Sequence, residues 1–279
     1  MKKTLLVLLI LSSISLNAQI TVDQLLDKMV AAVDNLKTAS YTLNQSERIQ
    51  GKMRDGVIDT RLQASGPFKV YLKITAPAKD GGTEILYVEG ERGGKCLVNP
   101  NNVPINVNLS VYDSRVVKDQ HHSMLESGFK YFKSIIVQMR KKYADKIDDY
   151  VKLSNVKWLG KDYYKADINY TDFAYENYTV QAGEDVRKIA RKKFVNEYMI
   201  LEYNKIEDYD DVKPGQVIKV PNVYAKRTVL YIDKVNFLPV IQELYDDKGL
   251  YEKYSITNLK INPTFPADEF TKDCKSYNF

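Results

Sequence analysis

The stretch Tyr178–Asn204, YTVQAGEDVRKIARKKFVNEYMILEYN, interrupts a chain that otherwise reads mostly as strands. YTVQ (178–181) is a short strand, Gly183 a turn, and Asp185 the N-cap of a helix carrying Val186, Ile189, Ala190 and Phe194. Asn196 caps a second helix with Ile200, Leu201 and Tyr203 inward, YDDVKPGQ (209–216) is a turn, and VIKVP (217–221) closes the unit as a strand. The order is βααβ. Antiparallel pairing of its first and last strands brings the two ends to about 5 Å, so the unit can replace a hairpin turn in a host sheet. The strand before it, near Asp162 to Tyr175, and the strand after it, near Lys226 to Val235, are therefore expected to be neighbours in one sheet.

Working outward, Val22, Leu25, Leu26, Met29, Val30, Val33 and Leu36 have helical spacing. Thr21 and Gln24 make a capping box there, and Ile20 a staple onto Leu25. From Tyr41 to about Val98 the period is two, with Phe68, Val70, Leu72 and Ile74 alternating with Lys69, Tyr71 and Lys73. Strands that follow one another without helices predict an antiparallel sheet. DQHHSMLESGFKYFKSIIVQMRKKYAD (119–145) returns to helical spacing, with Leu125, Phe129, Phe132, Ile136, Met139 and Tyr143 on one stripe lying across the sheet. Strands resume in 151–170, and after the insert in 227–235 and 239–262, where Asp247-Lys248-Gly249 marks a hairpin. The expected class is α+β: a curved antiparallel sheet, an incomplete β-barrel covered by helices, with an inserted βααβ unit.

With 279 residues, 44% of them hydrophobic, the chain can bury one large core and a small satellite. Met1-Lys2-Lys3, the apolar run Leu5 to Leu11 and Leu16-Asn17-Ala18 describe a signal peptide over 1–18, with the mature chain from Gln19. The run is far shorter than the roughly 20 residues of a spanning helix, and no Cys follows it to carry a lipid. The expected location is secreted, in the periplasm or cell envelope. Removing Lys2 and Lys3 from 41 basic residues leaves 39 against 36 acidic ones, a charge of about +3 and no nucleic-acid signature. An oxidising compartment permits Cys96 and Cys274 to pair, and the sequence leaves open a disulfide or two thiols. Most of the 21 tyrosines are explained by ordinary strand preference, although Tyr also suits sugar contacts.

No catalytic constellation, metal set or cofactor motif stands out. His121 and His122 are the only histidines; as helix neighbours they would point about 100° apart, poor for joint ligation, and they read as surface residues of the mid-chain helix. No Cys-His pair has a local spacing suited to a thiol peptidase. The acidic pairs Asp148-Asp149 and Asp246-Asp247 fall in predicted turns, where solvated charge is the ordinary explanation. The two cleft carboxylates of a glycosidase leave no local pattern to read.

Tyr178 to Pro221 resembles a LysM domain through Tyr178-Thr179-Val180, Gly183-Glu184, Ile189-Ala190, Asn204, Pro214-Gly215-Gln216, Ile218 and Pro221. The resemblance implies a module, 177–222, that binds N-acetylglucosamine glycans such as peptidoglycan in a shallow groove between two loops. Carried over, those loops are Gly183, Glu184, Asp185 and Val186, and Tyr209, Asp210, Asp211 and Val212. The family often has Thr or Ser where this chain has Asp185. Asp caps a helix equally well but adds charge beside Glu184, Asp210 and Asp211, which neutral sugars tolerate better than carboxylate-bearing stem peptides. A LysM-shaped spacer that binds no glycan is the alternative.

The host, 19–176 with 223–279, resembles the LolA/LppX lipoprotein-carrier superfamily in element order. The residues that carry this are Ile232-Asp233, Leu238-Pro239, Tyr245-Asp246, Gly249, Tyr254, Leu259-Lys260-Ile261-Asn262-Pro263 and Phe270. The resemblance implies a concave apolar face that holds a lipid or lipoprotein acyl chain; no individual contact residue follows from it. A hollow and a filled core show the same alternation, so the sequence leaves both open. Three functions compete: a non-catalytic envelope protein binding glycan and lipid, an adhesive wall-binding protein without a small ligand, and a wall-modifying enzyme targeted by LysM.

Overall fold

The computed structural model describes residues 20–117 and 120–279; the expected signal peptide lies outside them. The chain opens with α1 (Val22–Asp34), then β1 (Thr38–Ile49), β2 (Lys52–Gln63), β3 (Lys69–Ala76), β4 (Glu84–Val88), β5 (Lys95–Asn99) and β6 (Val107–Ser110). After the short α2 (Ser114–Val117) come α3 (Lys130–Lys142), α4 (Ile147–Tyr150), β7 (Val151–Trp158) and β8 (Lys161–Asn169). The insert is β9 (Tyr175–Thr179), α5 (Val186–Lys193), α6 (Glu197–Asn204) and β10 (Val217–Pro221). The host closes with β11 (Arg227–Asp233), β12 (Pro239–Asp246) and β13 (Gly249–Ile261).

Eleven strands form one antiparallel sheet in the order β6-β5-β4-β3-β2-β1-β13-β12-β11-β8-β7, not closed into a barrel. The longest ladder is β1 on β2, from Thr38↔Gln63 to Ile49↔Lys52, turned by Gln50 and Gly51 with φ of 50° and 76°. This is the positive-φ pair that a two-residue hairpin requires. Asp246 lies opposite Gly249 in the β12–β13 hairpin, as the Asp-Lys-Gly signal predicts.

One face of the sheet carries the helices. Leu25, Leu26 and Met29 of α1 and Phe132, Ile136 and Met139 of α3 bury against Ile168, Leu230, Ile232 and Leu244. The capping box at the start of α1 is present, the Gln24 N–H donating to Thr21 Oγ1 at 3.2 Å and the Thr21 N–H to Gln24 Oε1 at 3.1 Å. On the opposite face Tyr71, Leu86, Val88 and Leu97 are roofed by Phe270, Cys274 and Tyr277 of the C-terminal segment. Tyr277 stacks on Tyr71 at 3.6 Å between ring centroids. The segment is latched where fully buried Glu84 accepts from the Asn278 N–H and Nδ2 at 2.8 and 2.7 Å. Cys96 and Cys274 are both buried free thiols. They belong to the cores of opposite faces, which resolves the open question of pairing; burial pushes the Cys96 thiol up to about 11.

Three expectations are corrected. The long mid-chain helix starts only at Lys130, because Gly128 has φ +87° and a Cβ there would meet Leu62 Cδ2 at 2.5 Å. His121 and His122 therefore precede the helix, and His121 is 1% exposed rather than on the surface. Asp148 and Asp149 sit in the one-turn α4. Asp246 is buried against the Arg48 guanidinium, so it is not a solvated turn charge.

The insert has its own two-stranded sheet, β9 on β10, running from Tyr175↔Pro221 to Thr179↔Val217. The flanking host strands are direct neighbours, with Asn169 of β8 opposite Arg227 of β11. Asn222 ties the two connecting segments together. Its N–H donates to Ala174 O at 2.9 Å, its Nδ2 to Asp172 O at 2.7 Å, and its Oδ1 accepts from the Ala174 N–H at 3.0 Å.

Candidate functional site

The two loops proposed for glycan lie side by side, because the Val186 N–H donates to Tyr209 O at 2.9 Å and pins one to the other. Val186, Tyr209 and Val212 belong to the module's own core with Ile189, Ile200 and Ile218, so their side chains are turned inward. Gly183, Asp210 and Asp211 are exposed. Gly183 has φ +78° with open space where a Cβ would stand. Asp185 caps α5, accepting from the Lys188 N–H at 2.7 Å. Glu184 is occupied: its carboxylate accepts from Lys192 Nζ, the Gln181 N–H and the Tyr178 hydroxyl, at 2.9, 3.0 and 2.8 Å. Those bonds, Lys192 foremost, hold it down to about 2. The acid row at the groove is thereby partly neutralised by α5, and Lys188 lies 3.4 Å from Asp185. Asn204 clamps α6 to β10, its Oδ1 accepting from the Lys219 N–H and its Nδ2 donating to Lys219 O, both at 2.7 Å.

The module is seated on the host through a buried polar seam that the sequence reading missed. Asn196 caps α6 by accepting from the Met199 N–H at 3.0 Å. Its Nδ2 also donates to the Tyr224 hydroxyl at 3.1 Å and to Glu252, while Tyr251 donates to its Oδ1 at 3.2 Å. His121 lies between the Tyr198 and Tyr251 rings at 4.5 and 4.4 Å. Arg187 of α5 stands over Tyr209 at 3.8 Å and over Tyr112 of the host at 4.7 Å.

Beneath the seam is a cavity of about 120 Å³ between the sheet and the segment from Gln120 to Ile135. Its floor follows the β1–β13 pairing. Leu43 lies opposite Ile256, Gln45 opposite Tyr254 and Glu47 opposite Glu252, so the wall runs from apolar to acidic over four residues, about 13 Å of strand. Leu72, Phe132 and Ile135 extend the apolar end. At the acidic end two carboxylates face each other across the strands, an arrangement unfavourable by itself. His121 bridges them, its N–H donating to Glu47 Oε2 at 2.9 Å and its Nδ1 bonding Glu252 Oε1 at 2.8 Å.

His122 Nδ1 lies 2.7 Å from Glu126 Oε2 and its Nε2 3.4 Å from Glu252 Oε1. Burial opposes charge on this ring, but the Glu252 charge and the Glu126 bond outweigh it, and its pKa is raised well above the ordinary value. Burial likewise works against Glu252 ionisation, yet the His122 charge and the two histidine bonds bring it to about 2. Glu197 lacks such a cation at bonding distance, and burial followed by the Glu126 charge pushes it up to about 7. Among the described residues no group of three or more His, Cys, Asp and Glu is arranged to hold a metal ion. No described helix is long and apolar enough to cross a membrane.

The acidic end had a sequence signal. In Tyr41, Leu43, Gln45, Glu47 and in Glu252, Tyr254, Ile256 the alternation that places the apolar residues inward places the acids inward as well. What no local pattern carried was the partner, since His121 is 131 positions from Glu252.

Comparison with known proteins gives two family matches. The model of the family described as "Protein of unknown function (DUF1571)" matches residues 37–178, more than half of the sequence, and the chain belongs to that family. A LysM domain matches residues 178–221. Among solved structures the chain is similar to a DUF1329 family protein from Desulfovibrio piger, with 13% identity, 90% of this chain and 97% of that one covered, and a TM-score of 0.38. It is also similar to a LolA superfamily protein from Nitrosomonas europaea, with 13% identity, 91% and 99% covered, and a TM-score of 0.34. For the lipoprotein LppX of Mycobacterium tuberculosis the values are 11%, 88% and 99%, and 0.40. No curated protein sequence matches the chain.

Proposed function

We propose that this chain is a non-catalytic, secreted protein of the cell envelope whose LysM domain binds an N-acetylglucosamine glycan, peptidoglycan above all, and whose β-domain takes a lipid or lipoprotein acyl chain. The observation that carries the glycan part is the LysM match at 178–221 on a module whose Gly183 and Asp210-Asp211 loops stand exposed and joined by one backbone bond. The proposed contacts are Gly183, Glu184, Asp185 and Asp210, Asp211 at the surface, with the backbone of Val186, Tyr209 and Val212 between them. The acyl part is supported by the cavity, whose Leu43, Ile58, Leu72, Phe132 and Ile135 walls would shield methylenes at about 0.8 kcal/mol each.

One LysM domain binds through a small contact, so retention on a wall rests on many adjacent sites. Pull-down by insoluble peptidoglycan tests the glycan part. The wild-type chain is expected in the pellet, and Gly183→Trp and Asp211→Trp in the supernatant with unchanged circular dichroism; equal retention of the variants removes glycan from these loops. Native mass spectrometry of the chain purified from an envelope fraction tests the acyl part. Mass added by an acyl species is expected, and a bare chain under conditions that preserve such ligands counts against it.

A further inference from the structure

The cavity's acidic end holds carboxylate oxygens that no hydrogen bond among the described residues satisfies. Glu47, Glu126 and Glu252 all line the cavity. Glu252 is 0% exposed, its Oε1 takes the bonds from His121 and Asn196, and its Oε2 has no hydrogen-bond partner among the described residues. Glu47, by contrast, is satisfied, accepting from the Tyr254 hydroxyl and the His121 N–H. Glu126 Oε1 is also without a hydrogen bond and has only the Arg191 guanidinium, at 3.7 Å. A buried carboxylate oxygen left unbonded costs more than the bond itself would gain, so a donor added at Glu252 Oε2 would be favourable.

We propose that the cavity selects an amphiphile with an ammonium head, its hydrocarbon lying along Leu43, Ile256 and Leu72 and its head donating to Glu252 Oε2. This rests on the reading that the cavity takes an apolar chain. The order of the wall along β1 and β13 fixes the direction of entry: tail at the Leu43↔Ile256 pair, head at the Glu47↔Glu252 pair. An anionic head in that orientation would meet three carboxylates, whereas a hydroxyl head would gain a neutral donor without the charge.

The test is calorimetric titration of the mature full-length chain with dodecylamine, dodecanol and dodecanoate, each below its aggregation concentration, at pH 7.4. The amine is expected to bind at least about tenfold more tightly than dodecanoate, with the alcohol between them. In Glu252→Gln, which keeps the shape and removes the charge, the ratio of amine to alcohol affinity is expected to fall about tenfold. Dodecanoate binding as tightly as the amine, or an unchanged ratio in the folded variant, overturns the proposal. Equal binding of all three overturns the head selection and leaves the acyl cavity standing; binding of none removes both. Should Glu252→Gln not fold, the wild-type series of three heads decides alone.

Discussion

Asn196 caps the second LysM helix and, through the same side-chain amide, joins Tyr224, Tyr251 and Glu252 of the host. Loss of a cap costs about 1 kcal/mol, and stripping a buried carboxylate of a donor about 1–3 more. Asn196→Ala is therefore expected to lower stability by about 2–4 kcal/mol in urea denaturation, against under 1 kcal/mol for an exposed polar residue such as Lys213. Glu197, one position on, has the opposite character. Its folded pKa, about 7, lies above the ordinary value of 4.5, so between those values the folded state holds the extra proton and stability falls as pH rises. Above pH 7 the full penalty is present and below pH 4.5 none of it is. Glu197→Gln should thus gain about 1–3 kcal/mol at pH 8 and close to nothing at pH 4. A gain of equal size at both pH values contradicts this account.

At the scale of elements, two glycines with similar backbone angles separate strain from collision. Gly128 and Gly183 have φ of +87° and +78°, but only Gly128 faces a neighbour, Leu62 Cδ2, at 2.5 Å from a Cβ position. Gly128→Ala should cost about 2–4 kcal/mol, and Gly183→Ala about 1 kcal/mol, by thermal unfolding. The C-terminal roof is a second case: Tyr277→Ala removes the stack on Tyr71 and should cost about 3–5 kcal/mol.

These elements also mark what could be read in advance. Val22 to Leu36, the strands around Val70 and Leu72, and the βααβ order of Tyr178–Pro221 were legible because period and caps are local. The late start of α3 was not, because the side chain that Gly128 must avoid is on β2. Phe270, Cys274 and Tyr277 were not legible as a roof, since a segment without regular structure has no period. The loops proposed for glycan follow from the motif alone, whereas the polar seam needed strands from both ends of the chain.

For the molecule as a whole, the insertion is two adjacent strands, β8 and β11, opened to admit a module that then folds back onto its host. The Tyr198 hydroxyl accepts from the Gln50 N–H at 3.0 Å, and Glu202 lies 3.9 Å from Arg48 and 3.5 Å from Lys248. A module of this size is close to the lower limit for independent stability, so its seat should make it unfold with the sheet. Calorimetry is expected to give one transition for the wild type and, in Asn196→Ala, a separate early one of small enthalpy. Two transitions in the wild type would mean the seam contributes nothing to the module.

The central claim is that glycan is held by the two loops of the seated LysM domain. The most direct measurement is the amide spectrum of isotopically labelled chain titrated with N-acetylglucosamine tetramer. The account predicts saturable shifts at Gly183–Val186 and Tyr209–Val212, with the cavity residues Leu43, Ile58 and Ile256 unmoved. Shifts absent from both loops at millimolar tetramer, or confined to the cavity, would contradict it.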